Sequence, residues 1–232
     1  MEGLEIRVSV GAPVVLGGSP HGPCLDQVLA ALAARREGAT YPPLPDAWRE
    51  TVPVPGIQQR DGVPLACALW PVGAYVWDQR VLPRKPDFDA LIPWSRPLAW
   101  RSDFGPYLSR ATTLRVVTAT TWVWWCVGDR EVLEDVLGDL LSVGAKQGAG
   151  FGAVTRTEIR PAPPERSVLY QGRRLTRPVP LRLLSAWSID ADRLDPGTFA
   201  VASAPGRGGV PAWYAPAQEP CLVPVLGQDD RL

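Results

Sequence analysis

Histidine and lysine are scarce in this 232-residue sequence: there is one histidine, His21, and arginine supplies 22 of the 24 lysine and arginine residues. A metal site built from several histidines is therefore excluded, as is a mechanism that needs two imidazoles. The four cysteines are scattered without a Cys-x-x-Cys pair, so neither a zinc site nor a disulfide framework is indicated. We predict buried, reduced thiols and neither a metal nor a cofactor.

Long apolar runs are also lacking. No segment approaches the roughly 20 apolar residues that a membrane-spanning helix needs, and the N-terminus lacks a basic segment followed by an apolar stretch. With 46% hydrophobic residues, the chain has enough apolar material to build a core. We therefore expect a soluble, cytoplasmic protein that makes no membrane contact.

The formal net charge is zero, which argues against a protein that coats nucleic acid non-specifically. The cations are nevertheless clustered: residues 80–115 contain seven basic and three acidic residues, and residues 156–182 contain seven and two. Local excesses of arginine are typical of surfaces that contact phosphate. The charge distribution thus favours nucleic-acid contacts by particular segments.

The densest motif is the stretch GAKQGAGFG at residues 144–152, which contains four glycines, one lysine and one glutamine. Glycine permits positive φ and close approach of another molecule, so this run can present several backbone amides to an anion. The alternative is an ordinary helix stop followed by a turn. A helical pattern precedes the glycines and a strand pattern follows them. This order is the reverse of a dinucleotide-binding loop, and no Gly-Lys-Ser/Thr follows as a Walker A loop requires.

The periodicity of the whole chain predicts an α+β fold. We expect six elements in the order strand, helix, strand, strand, helix, strand, which is that of a ferredoxin-like or RRM-type βαββαβ domain. The strands are predicted at residues 4–10, 64–72, 112–127 and 151–159, and the helices at 25–36 and 129–143. Residues 74–81 either continue the second strand or form a neighbouring one. In the second helix an apolar stripe is expected, and its members are Val132, Val136, Leu137, Leu140 and Leu141.

The sequence predicts one domain, a C-terminal extension and an insertion within the domain. Residues 1–160 form the ferredoxin-like domain, and residues 161–232 a β-rich C-terminal extension that includes a hairpin at 167–177. At about 80–110 the domain is interrupted by an irregular insertion in which basic and aromatic residues alternate. Such an insertion suits phosphate contacts and base stacking, although its rings could equally pack onto the core. Its candidate RNA-binding residues are Arg84, Lys85, Arg96, Arg101 and Arg110.

Six stretches of the sequence carry a family likeness, and they are residues 13–15, 23–30, 122–129, 143–152, 212–216 and 221–224. Through these stretches the sequence resembles the CRISPR-associated RAMP (repeat-associated mysterious protein) superfamily, and they follow the family's order along nearly the whole chain. The closer similarity is to the type IV effector subunit that occupies the 5′-handle end of the CRISPR RNA (crRNA).

This resemblance implies a ferredoxin-like fold with a thumb-like insertion and a non-catalytic function. The subunit would hold the crRNA 5′ handle, cap a filament of backbone subunits and adjoin the large subunit, and a contact with the target DNA duplex is left open. The loop of the family carries two adjacent basic residues after its first glycine. Here Ala145 precedes Lys146, so Lys146 and the main chain must supply more of the phosphate contact.

Within the loop, Lys146 and Gln147 are the polar residues that we expect to contact RNA, with the backbone amides sharing the contact. The loop's RNA-binding set is Gly144, Lys146, Gln147, Gly148, Gly150, Phe151 and Gly152. Phe151 is either a core residue or a platform for a base.

A metal-independent RAMP endoribonuclease that processes precursor crRNA is the alternative function. Related enzymes often place a histidine near the first helix, and His21 lies in that region. A structural position for His21 is the other interpretation, because it stands between two prolines in a Gly-rich loop.

Overall fold

The computed structural model describes residues 1–16, 21–38, 54–84, 110–145, 147–203 and 220–226. Over these ranges the chain is a mixed α+β structure with two α-helices and antiparallel strand pairing. The strands are β1 Glu2–Val10, β2 Val14–Val15, β3 Gln59–Arg60, β4 Val63–Pro64, β5 Trp70–Val72, β6 Val76–Arg84, β7 Arg110–Thr118, β8 Thr121–Gly128, β9 Val154–Pro161, β10 Leu169–Tyr170, β11 Arg174–Leu175, β12 Val179–Pro180, β13 Phe199–Ser203 and β14 Pro220–Pro224. The helices are α1 Leu25–Arg36 and α2 Arg130–Leu137, and short 3-10 helices span Gln147–Ala149, Pro164–Ser167, Leu181–Leu183 and Ala191–Arg193.

The central sheet has four strands in the order β5-β8-β1-β9. Strand β1 pairs antiparallel with β8 on one side and β9 on the other. Its alternating residues Leu4, Ile6 and Val8 are fully buried, as the period of two predicts. Opposite them on β8 lie Cys126, Trp124 and Trp122. Helices α1 and α2 pack against this apolar face in one continuous core. Along the chain, the elements of this layer follow the order β1, α1, β5, β8, α2, β9.

The two helices begin with different capping interactions. Helix α2 is capped by Asp129, whose carboxylate accepts hydrogen bonds from the amides of Glu131 and Val132 at 3.0 and 3.3 Å. At the start of α1, the Gln27 side-chain oxygen accepts a hydrogen bond from the amide of Cys24 at 3.3 Å. Both positions agree with the predicted starts of the helices.

A second sheet has the order β2-β7-β6. Strands β6 and β7 form a two-stranded ribbon that pairs from Val76 opposite Thr118 to Arg84 opposite Arg110. The sequence predicts one strand across residues 112–127, and this expectation is wrong. The run divides at Ala119 and Thr120 into β7 and β8, which belong to different sheets. In the sequence, the ribbon therefore falls between β5 and β8, which are both strands of the central sheet.

The second predicted helix is also too long. Helix α2 ends at Leu137, with Gly138 as its C-cap residue, instead of continuing to residue 143. In consequence, Leu141 leaves the expected apolar stripe and is 74% exposed. Val132, another predicted member of the stripe, is exposed as well, and Leu133 is buried instead. Glycine is a poor helix former, and the segment after it turns toward β2 and the glycine-rich loop.

The described part of the C-terminal extension contains several short strands. Strands β10 and β11 form the expected hairpin, and β12, β14 and β13 form a small sheet. The extension also contacts the first 160 residues. The indole nitrogen of Trp70 donates a hydrogen bond to the Thr176 carbonyl at 3.2 Å, and the Trp125 and Tyr170 rings stack with centroids 5.4 Å apart. All four cysteines are buried, and none forms a disulfide bond.

Candidate nucleic-acid interface

The ends of the glycine-rich loop are fixed by backbone hydrogen bonds. The amide of Val143 donates to the carbonyl of Gly152 at 2.9 Å, which closes the loop on itself. The amides of Ala145 and Gly152 donate to the carbonyls of Val15 and Pro13 at 2.8 and 2.9 Å. The loop base is therefore held against β2 and the residues before it, whereas residues 147–150 are exposed.

Two of the four glycines are required by this packing. Gly144 and Gly152 have φ values of 82° and 64°, where glycine is strongly favoured. A Cβ atom on Gly144 would lie 2.6 Å from the Val15 carbonyl oxygen, and one on Gly152 would lie 1.9 Å from the Val143 carbonyl oxygen. These glycines therefore form the base of the loop.

The other two glycines face solvent. Gly148 and Gly150 are exposed, and a Cβ atom added to either would meet no heavy atom within 4 Å among those described. Gly150 still has a structural reason to be glycine, because its φ is 82°. Gly148 has neither a positive φ nor a close neighbour. The fold of the described chain therefore does not require glycine at position 148.

The side chain of Gln147 stabilises the loop from within. Its amide nitrogen donates hydrogen bonds to the carbonyls of Ser142 and Gly144 at 3.3 and 3.1 Å. Its NH2 group is thus engaged, and the side-chain oxygen is the atom left for a ligand. The side-chain oxygen and a phosphate oxygen are both hydrogen-bond acceptors, so they cannot bond to each other. Gln147 is therefore better suited to contact an RNA base than the RNA phosphate backbone.

Phe151 occupies the core side of the loop. It is partly buried and packs with Ala145 against Val15, Leu114 and Val116. Of the two interpretations of Phe151, the structure favours the core position. The aromatic residue anchors the loop to β2 and β7.

The predicted cationic residues are only partly described. Lys146, Lys85, Arg96 and Arg101 lie outside the described residues. Arg84 and Arg110 are placed by their backbones, directly opposite one another at the end of the β6–β7 ribbon. The fold thus brings together two candidate residues that are far apart in the sequence.

His21 is inside the protein. Its side chain is 1% exposed, and Nδ1 donates a hydrogen bond to the Gly22 carbonyl at 2.6 Å. Burial lowers the pKa of the imidazole from 6.5 to about 4, against the opposing effect of the hydrogen bond to Gly22. The ring is therefore neutral near pH 7 and has no access to a phosphodiester in solvent.

A groove that no sequence motif predicts adjoins the loop. Its volume is about 480 Å³, and it lies between α1 and the segment that leads from α2 into the glycines. Its lining residues are Pro23, Gln27, Val28, Ala31, Leu32, Arg35, Leu140, Leu141, Ser142, Val143, Gly144, Ala145 and Gln147. The spacing of Val28, Ala31 and Arg35 on one helix face was the available signal, but the same spacing is typical of core-facing residues.

No protein-family model matches the sequence, and no curated protein matches it. Within the described part of the chain, no helix is both long enough and apolar enough to cross a membrane. Among the same residues, no three histidine, cysteine, aspartate or glutamate side chains are grouped closely enough to hold a metal ion.

Proposed function

We propose that this chain is a non-catalytic RNA-binding subunit of a type IV CRISPR ribonucleoprotein, and that residues 144–152 bind the 5′ handle of the crRNA. The subunit caps the filament of backbone subunits and adjoins the large subunit. The observation that carries RNA binding is Gly148, an exposed glycine that the fold does not require. A glycine at such a position lets a phosphate approach the main chain.

The proposed fold is the ferredoxin-like domain of the RAMP superfamily. Its support is the succession β1, α1, β5, β8, α2, β9 together with the spatial order β5-β8-β1-β9, in which the last strand lies beside the first. A βαββαβ domain has this connectivity. The β6–β7 ribbon interrupts the domain between its second and third strands and corresponds to the base of the thumb-like insertion.

A non-catalytic role is supported by the position of His21. Metal-independent cleavage of RNA needs a group that moves protons at the 2′-hydroxyl, and the single imidazole of this chain is buried and neutral. No observation on the described residues favours the endoribonuclease alternative. The loop is instead suited to holding an anion, since residues 148–150 are exposed and carry no side chain larger than a methyl group.

The Gly148→Glu variant tests the proposal. The side chain enters open space at an ordinary φ, so we expect an unchanged melting temperature. Its carboxylate would repel phosphate and should weaken binding of a handle-bearing single-stranded RNA about tenfold or more, as measured by fluorescence anisotropy on the full-length chain.

The matched control is Gln58→Glu, which adds the same charge at an exposed position outside the loop. The control should bind RNA like the wild type. Equal RNA affinity for Gly148→Glu and the wild type, with both folded, would refute the assignment of the loop as the RNA site.

A further inference from the structure

The groove beside the loop has an apolar floor and an apolar wall. Val28 and Ala31 on α1 are partly exposed there, and Leu141 presents a side chain that is 74% exposed. A leucine this exposed, next to a concave surface of about 480 Å³, offers a flat apolar contact to a ligand. The volume lies within the range of small-molecule sites.

The polar groups of the groove are a donor and an acceptor in fixed orientations. Gln27 uses its side-chain oxygen to accept from the Cys24 amide, which leaves its NH2 group as a donor. Gln147 uses its NH2 group within the loop, which leaves its oxygen as an acceptor. Arg35 adds a guanidinium, and no acidic residue is among the described lining residues.

This combination matches a nucleobase better than a metal ion or a simple anion. A base has two apolar faces and an edge on which donors and acceptors alternate. A cation would need carboxylates, and a lone phosphate would gain nothing from Leu141, Val28 or Ala31. The chemistry of the groove therefore indicates a flat heterocycle with a polar edge.

The groove is continuous with the proposed phosphate site. Gly144, Ala145 and Gln147 belong both to its lining and to the loop. We propose that the groove receives one unstacked base of the RNA whose backbone the loop binds, with Gln27 and Gln147 reading the edge of that base. This inference rests on the proposed function and adds base recognition to it.

The test combines a protein variant with abasic RNA. Ala31→Phe fills the groove, and Ala33→Phe is the control, since Ala33 is partly buried on the same helix but does not line the groove. Handle-bearing RNAs that each lack one base are compared by fluorescence anisotropy. For the wild type and Ala33→Phe, one abasic position should weaken binding about tenfold.

For Ala31→Phe, the same abasic position should cause no further loss of affinity, because the base has no groove to enter. If the wild type binds every one of the abasic RNAs as tightly as the intact RNA, the inference is overturned. If Gly148→Glu still reduces binding in that case, the loop assignment stands and only the groove fails. If instead Ala31→Phe binds all RNAs like the wild type but no longer assembles with its protein partners, the groove is a protein-docking surface, and the inference is wrong.

Discussion

At the level of single residues, the burial of His21 has a consequence that pH can reveal. Its pKa is lowered from 6.5 to about 4 in the folded protein. Between these values the unfolded chain binds more protons than the folded chain, so the free energy of unfolding falls as the pH falls. Over the range from about pH 7 to about pH 5, this contribution amounts to about 2 kcal/mol.

Urea unfolding at these two pH values measures the effect, and His21→Gln is the comparison. We expect the variant to show a weaker pH dependence than the wild type. The carboxylates of Glu5 and Glu158 do not obscure the result, because their pKa values are lowered from 4.5 and their contribution is lost only at more acidic pH. An identical loss of stability in His21→Gln would show that another group is responsible.

The roles of single residues in the loop could not be predicted from the sequence. The glycine-rich motif was visible in the sequence, but the different roles of its glycines were not. Gly144 and Gly152 are required because of Val15 and Val143, which are neighbours only in the folded chain. Likewise, the orientation of the Gln147 amide depends on carbonyls that converge in the loop.

At the level of elements, the loop base should be much less tolerant of substitution than other turns with positive φ. Gly152→Ala and Gly62→Ala form a matched pair, since both glycines have positive φ, at 64° and 75°. A Cβ atom at Gly62 meets nothing described within 4 Å, whereas one at Gly152 would overlap the Val143 carbonyl. We expect Gly62→Ala to cost about 1 kcal/mol of unfolding free energy and Gly152→Ala about 3 kcal/mol or more.

Chemical denaturation of both variants provides the measurement. Equal losses would mean that the loop base adapts freely, and the division of the glycines into two roles would then be untenable. The comparison needs no RNA, so it tests the geometry of the loop independently of its function.

Element boundaries mark the limit of what local patterns can predict. The start of α2 was predictable because Asp129 is a local capping residue, and β1 because its alternation is local. The division of residues 112–127 between two sheets was not, since Val116 and Trp122 have the same strand propensity whichever sheet they join. The early end of α2 depends on where the following chain must turn.

On the scale of the whole molecule, the pairing of distant segments decides the architecture. Strand β1 lies between β8 and β9, more than a hundred residues further along the chain. The α+β class could be inferred from periodicity alone. The β6–β7 ribbon could not, because its strands are separated by the insertion and pair only at long range.

The C-terminal extension is joined to the rest of the protein by buried indoles. Trp70 and Trp125 both contact it, and the Trp187 indole nitrogen donates a hydrogen bond to the Asp61 carboxylate at 2.7 Å. Such contacts cover large aromatic surfaces that the first 160 residues would otherwise expose. The full-length chain is therefore the appropriate material for binding experiments.

The most direct test of the central claim is to incubate the full-length chain, in EDTA, with RNA that carries the repeat-derived 5′ handle and with RNA of scrambled handle sequence. Binding and RNA integrity are measured in the same samples. Our account predicts tighter binding of the handle RNA, which remains intact and weakens as salt rises. Site-specific cleavage that is lost in His21→Ala, or equal binding of both RNAs at near-physiological salt, would contradict it.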